Sequence, residues 1–370
     1  MGAQAGETPA LLWGRLHTAH KAREVFLRRA ADTKPPFSTG ERRAHVENPP
    51  RAEGLAQRPA NIDTMQRAIS STISPIVTLC LAVGALVSHV VAAQPKVAAP
   101  NSDYSVSVVP GTVRQGDFFM LRVSARSAVA EISASCQWMK KAYVLQPVAG
   151  SLESILPVPM TAPAGKATVR ATIDSPTGRA SASAAVRIVK RRFGIQRLTM
   201  QKETLALYSG PGVEEEYRAI RTALSIESPD RPWQPPFIRP CGGTTGTSFG
   251  VHRITNRTSR SRHRGVDIRA PEGTPVVAAN SGVVTLARED FALHGRTVVI
   301  DHGQGLSSLY LHLASIAVAE GQSVQRGETI GTVGASGAST GAHLHWAFYI
   351  HDACVDPFAV IRFPWPAPPP

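Results

Sequence analysis

Apolar and polar residues alternate with a period of two through much of the chain. In Ala167-Thr168-Val169-Arg170-Ala171-Thr172-Ile173-Asp174, the residues Val169, Ala171 and Ile173 fall on one side and polar residues on the other. Phe119, Leu121 and Val123 repeat the pattern, as do Val186 and Ile188. Side chains along a strand change face at every residue, so these runs read as half-buried strands. Turn residues part them at Pro110-Gly111, Gln115-Gly116, Pro163-Ala164-Gly165 and Pro176-Thr177-Gly178. Short strands at this spacing predict a β-sandwich over residues 101–190. A second group follows in Val276-Val277-Ala278, Gly282 to Leu286, Thr297 to Ile300, Leu309 to His312, and the stretch after Gly341 that carries Trp346, Phe348, Tyr349 and Ile350. The expected fold is all-β.

Two segments depart from that period. Glu214 to Leu224 predicts a short helix, with acids at its start and arginines later, as the helix dipole favours. Its acidic run reads as a solvated first turn. The helix lies in residues 191–245, whose Pro232, Pro235, Pro236 and Pro240 suggest a connecting segment. The other departure is the apolar run from Ile76 to Val91, preceded by Met65-Gln66-Arg67 and followed by Ala92-Ala93. This is the anatomy of a secretory signal peptide over residues 65–93. Residues 1–64 are rich in arginine, alanine and proline and read as disordered. An internal signal is most simply explained by a start codon assigned too early, with Met65 the first residue and Gln94 the first of the exported form. The rival, an uncleaved anchor, has a core short for a span and interrupted by Pro75, Ser88 and His89. Membrane contact is expected only through this segment. Residues 361–370 read as a proline-rich tail.

Composition narrows the partners. A length of 370 residues suggests two domains, and 43% hydrophobic residues can build their cores. A net charge of +13 favours acidic partners. The chain has no zinc-finger spacing, recognition helix or basic-aromatic strand surface, so nucleic acid is not expected.

The candidate chemistry is a set of histidines. His343 and His345 are two apart, which on a strand points both the same way. His263 and Asp267 are four apart, on one face of either a helix or a strand; Gly265, Val266, Ile268 and Pro271 favour the strand. His312 adds a third histidine segment in Tyr310-Leu311-His312. Catalytic zinc takes three neutral-imidazole or carboxylate ligands and leaves a position for water. His263, Asp267 and one of the His343/His345 pair would supply the three, and spacing leaves open which of the pair. The remaining histidines would work on water or the transition state. His252, His294, His302 and His351 read as hydrogen-bonded core residues.

Residues from about Gly246 to Pro357 resemble the lysostaphin-type, LytM-like zinc endopeptidases that hydrolyse peptidoglycan. The likeness is carried by Thr247-Ser248-Phe249-Gly250, His263-Arg264-Gly265-Val266-Asp267, Ala270 to Val276, Asp301-His302-Gly303, Tyr310-Leu311-His312-Leu313, Ser339 to His345 and Val355-Asp356-Pro357. Ala342 stands where many relatives have proline. The resemblance implies a LytM-like antiparallel β catalytic domain over 246–360, with one zinc held by His263, Asp267 and His345, and with His312 and His343 as catalytic residues. The amino-terminal strands resemble the immunoglobulin-like module that precedes some of these peptidases. The implied function is a periplasmic or secreted endopeptidase acting on stem peptides or cross-bridges. The alternative is a non-catalytic activator of a cell-wall amidase; such proteins typically lose zinc ligands, and none is lost here. The stretch Ala319 to Gly331 also resembles the hairpins of biotinyl or lipoyl carriers, but has no lysine at its tip.

The chain holds four cysteines. Cys80 would leave with the signal, and export leads one to expect a pair among Cys136, Cys241 and Cys354. Cys241 and Cys354 flank the histidine motifs, so the expected bridge is Cys241–Cys354, with Cys136 free.

Overall fold

A computed structural model describes residues 103–125, 131–257 and 259–366. The extension 1–64, the signal segment 65–93 and residues 367–370 lie outside the described residues. Strands dominate what is described, in keeping with the alternation.

The first eight strands are β1 (Tyr104–Val109), β2 (Thr112–Arg114), β3 (Phe118–Ala125), β4 (Ser133–Trp138), β5 (Lys141–Val148), β6 (Ser151–Pro157), β7 (Gly165–Ser175) and β8 (Gly178–Val189). They join in the order β1-β3-β6-β5-β4-β7-β8-β2. Midway along β5 the partner changes: Lys141 to Leu145 pair with β4, and Gln146 to Val148 pair with β6. Phe119, Leu121 and Val123 of β3 share one core with Val169, Ala171 and Ile173 of β7, and all six are fully buried. β3 has two apolar sides. Phe118 and Met120 face the other way and enter the core of the following elements.

Those elements are β9 (Ile195–Leu198), α1 (Lys202–Ala206), α2 (Val213–Leu224), β10 (Thr244–Thr245), β11 (His252–Thr255), β12 (Ser259–Arg262), β13 (Val266–Arg269), β14 (Pro275–Val277) and β15 (Gly282–Arg288). They continue as β16 (Arg296–Gly303), β17 (Leu306–Ile316), β18 (Ser323–Val324), β19 (Thr329–Val333), β20 (Leu344–Ile350), β21 (Ala353–Val355) and α3 (Pro357–Arg362). The central order is β10-β13-β20-β17-β16-β15-β18, with β19 joining β14 to β17, and β21 on β20. Alternation along β20 gives the sheet two apolar faces. Leu344, Trp346, Phe348 and Ile350 enter the main core, while Ala347 and Tyr349 lie with Leu309 and Leu311 under Ile220, Ala223 and Leu224 of α2.

Residues 191–245 are built into this body. β9 pairs in parallel with β11, α2 covers the second face, and Trp233 and Phe237 are buried in the main core. The amino-terminal sheet is fastened to the same core. Phe118 stacks on Phe363 with ring centroids 4.6 Å apart, and Arg191 bonds Asp356 at 2.8 Å. Phe363 and Trp365, from the segment read as a tail, therefore pack in an aromatic cluster with Phe118, Trp233 and Phe237.

The expected Cys241–Cys354 bridge is not formed; Cys136, Cys241 and Cys354 are all free thiols. The topology explains why. Cys241 follows Pro240, whose carbonyl accepts from Val277 in β14, whereas Cys354 lies in β21 opposite Tyr349. Strands β19, β17 and β20 separate β14 from β21 along the sheet. Neighbouring strands are about 4.8 Å apart, while a disulfide needs Cα atoms within about 7 Å.

Candidate metal centre

Asp267 and His345 are register partners across β13 and β20, which aims both side chains to the same face. Val266 and Ile268, on either side of Asp267, point into the main core and are fully buried. Gly265 lets the chain approach β20 closely. A Cβ there would meet the Trp346 carbonyl at 2.4 Å and the His345 ring at 2.9 Å. His263 lies in the connection between β12 and β13, one residue past the end of β12, so it reaches Asp267 from just outside the strand expected.

Three donor atoms converge. His263 Nε2 lies 2.9 Å from Asp267 Oδ1 and 3.0 Å from His345 Nδ1, which is itself 3.0 Å from Asp267 Oδ1. Among the described residues this trio is the grouping with metal-ligand geometry. His263 Nδ1 donates to the Ser248 carbonyl at 2.9 Å. A carbonyl only accepts, so that bond puts the His263 proton on Nδ1 and leaves a lone pair on Nε2. The other Asp267 oxygen, Oδ2, accepts from Arg253 Nη2 at 2.8 Å, and Arg253 Nε donates to Gln196 Oε1 at 3.2 Å. Burial works to raise the Asp267 carboxyl, but His263 and His345 overcome it and hold the group well below the usual carboxylate range. Burial lowers His345 to about 4, which favours the neutral ring a metal requires. Two imidazole nitrogens and one carboxylate oxygen, mutually within hydrogen-bond distance, are a donor set that suits zinc.

His312 and His343 stand beside the trio, with ring centroids 5.0 Å apart. His343 Nε2 is 3.9 Å from Asp267 Oδ1. The placing of His312 needs explanation. Tyr310, two residues earlier, is fully buried and its hydroxyl accepts from the Ala279 N–H at 2.9 Å, so simple alternation would bury His312 too. The β16–β17 register slips between Arg296/Val298, and His312 adopts a left-handed φ of 65°. This bulge turns the ring to the face that carries His345. A non-glycine residue held there costs on the order of 1–3 kcal/mol and needs its surroundings to hold it. His312 N donates to the His294 carbonyl at 3.3 Å, and His312 Nδ1 donates to the Ser336 carbonyl at 2.8 Å. Burial first, then His345 and His343, push its pKa down to about 3. His343 Nδ1 donates to the Gly341 carbonyl at 2.8 Å, with Ser339 Oγ at 3.1 Å.

All five sequence candidates thus meet in one place. Sequence reasoning missed their supports: Ser248, Arg253, Gln196, Ser336 and, on α2, Glu216. Glu216 had a readable signal. Val213, Glu216, Ile220 and Ala223 lie at helical spacing on one buried stripe, so this carboxylate sits where an apolar residue is expected.

Residues 261–357 match the family described as Peptidase family M23. A Haemophilus influenzae protein named Uncharacterized metalloprotease is 39% identical over 113 residues, covering 30% of this chain and 24% of the relative. The DD-carboxypeptidase/endopeptidase Mpg of Neisseria meningitidis is 44% identical over 98 residues, 26% of this chain and 22% of that one. Peptidoglycan DD-endopeptidase ShyA of Vibrio cholerae is 41% identical over 100 residues, 27% of this chain and 23% of its own. The matched regions span about a quarter of these relatives' lengths.

Proposed function

We propose, from a chain whose residues 261–357 carry a Peptidase family M23 domain, that this protein is a zinc-dependent endopeptidase cleaving peptide bonds in peptidoglycan stem peptides or cross-bridges. One observation carries the reading: His263 Nε2, Asp267 Oδ1 and His345 Nδ1 converge beside His312 and His343. His263, Asp267 and His345 would hold the ion. Zinc supplies Lewis acidity, lowering the pKa of water towards neutrality and polarising a carbonyl.

The chain's own residues account for the proton movements. His312 and His343 each tie Nδ1–H to a carbonyl, so each keeps Nε2 for water or substrate. One of them takes the proton of the attacking water as general base and hands it to the departing amine nitrogen. The other, protonated at Nε2, donates to the developing oxyanion. Arg253 engages Asp267 Oδ2 and leaves Oδ1 to the ion.

The amino-terminal sheet reads as an immunoglobulin-like sandwich serving as a spacer or partner contact. A peptidoglycan substrate and the signal-like segment 65–93 support a location in the periplasm or outside the cell. Among the described residues no helix is long and apolar enough to cross a membrane. The test is digestion of purified sacculi by the zinc-loaded protein, with released fragments identified by mass spectrometry. Fragments shortened at a peptide bond support the endopeptidase. Glycan strands freed of whole stem peptides, or no release at all, overturn it.

A further inference from the structure

We propose that Glu216, on helix α2 and outside the segment that matches the peptidase family, is a positioning residue for His312. The inference rests on the catalytic reading of His312 given above. Glu216 is buried at 5% exposure, yet its carboxylate receives a full set of donors. Oε1 accepts from Ala292 N at 2.6 Å and Leu293 N at 3.1 Å. Oε2 accepts from His294 N at 3.1 Å and from His294 Nδ1 at 2.8 Å. Burial alone would raise its pKa, but His294 and these backbone donors bring it below the ordinary value. A buried carboxylate is tolerated only with such partners, and charge-assisted bonds of this kind are strong.

The loop so gripped touches both bonds that fix His312. The His294 carbonyl accepts from His312 N, and so helps hold the left-handed backbone at the bulge. The ring bond runs to the Ser336 carbonyl, and Ser336 is fastened to the same loop. Arg296 N donates to Ser336 Oγ at 2.9 Å, and Ala338 N donates to the Leu293 carbonyl at 2.8 Å. Gly295 and Gly337 allow the two backbones to abut, since a Cβ on Gly337 would lie 2.4 Å from Gly295 N. His294 itself is walled by Tyr217 of α2, with ring centroids 4.9 Å apart. One carboxylate therefore organises a loop that sets both the backbone and the ring of His312.

A plain docking role for Glu216 predicts lost stability only; a positioning role predicts a defect that depends on His312. The informative variant is Glu216→Gln, which keeps the size and one acceptor, with Glu216→Asp as a second should the first not fold. On a soluble cross-linked muropeptide, kcat is expected to fall about 10–100-fold, with KM and bound zinc near the parent values. In a His312→Ala background the same substitution should cost less than about twofold, because the group it orients is already gone. Hydrogen exchange gives a reading that does not use activity: the amides of residues 292–294 and of His312 should exchange faster in Glu216→Gln, with or without zinc. Equal losses in both backgrounds, or unchanged exchange at His312, would overturn the inference. A parent protein that cleaves no muropeptide sinks the catalytic reading instead, and the exchange measurement still decides the contact.

Discussion

Asp267 and His345 face one another across the β13–β20 ladder, with Oδ1 of the first 3.0 Å from Nδ1 of the second. Their partner His263 reaches the same point, while His312 and His343 stand aside with free Nε2 atoms. Holding the metal and using it should therefore come apart on mutation. Alanine at His263, Asp267 or His345 is expected to abolish zinc binding and cleavage together. Alanine at His312 or His343 should leave zinc near stoichiometric while turnover drops about 10²–10⁴-fold. Metal analysis beside a muropeptide assay checks both. Five variants that all cleave like the parent would detach cleavage from this site, and a parent that binds cell wall but cleaves nothing would transfer the function to the amidase-activator reading.

Arg253 supplies a subtler test. Its guanidinium bonds the Asp267 oxygen that faces away from the histidines, at 2.8 Å. Replacing it by methionine removes the charge and the hydrogen bond while retaining much of the bulk. Zinc affinity, measured by competition with a chelator, should weaken about 10–100-fold, the usual effect of losing a partner behind a ligand. An unchanged affinity would show that Asp267 is oriented without it.

The thiols are expected to be free and hard to reach. Burial pushes Cys136 up to about 12 and Cys241 to about 11, the latter against the pull of Arg239, and burial raises Cys354 as well. Thiolate is the reactive form, so native protein should react slowly with a thiol reagent. In denaturant, Cys136, Cys241 and Cys354 should all react without prior reduction. A melting temperature that fell on adding reductant would contradict this.

Acid should loosen the loop that Glu216 grips. Its folded pKa lies below the unfolded value, so its contribution is complete above that value, about 4.3, and is lost as pH falls through the folded pKa. The stability gap between the parent and Glu216→Gln, from urea midpoints, should be level between about pH 6 and 8 and close below about pH 4. A gap that widened on acidification would reverse the assigned sign.

Much of this was legible because strands alternate. Val169, Ala171 and Ile173 are as buried as their spacing predicts, and Phe119, Leu121 and Val123 likewise. The His/Asp motifs were legible as chemistry because ligand types at fixed spacing are rare by chance. Other features answered to longer-range causes. His263 sits just past the end of β12, and His312 faces its site only through a bulge that no two-residue pattern encodes. Arg253 and Glu216 act on residues 14 and 76–78 positions away, respectively, so nothing local marks their partners. The cysteine pairing failed for the same reason. Flanking a domain in sequence does not bring two residues to the same edge of a sheet.

Phe118 and Phe363 share one aromatic cluster, and this has a mechanical consequence. A pair of modules joined by a flexible tether can search for a bond in any orientation. Among the described residues, the amino-terminal sheet and the sheet that carries the metal centre share one buried core, with Phe118, Met120 and Ile155 packed into it, so no pivot lies between them. Whatever grips the first therefore aims the second, as a handle aims a blade. Two spectroscopic probes, one on β7 and one near β18, should keep a single narrow distance whether or not zinc is bound.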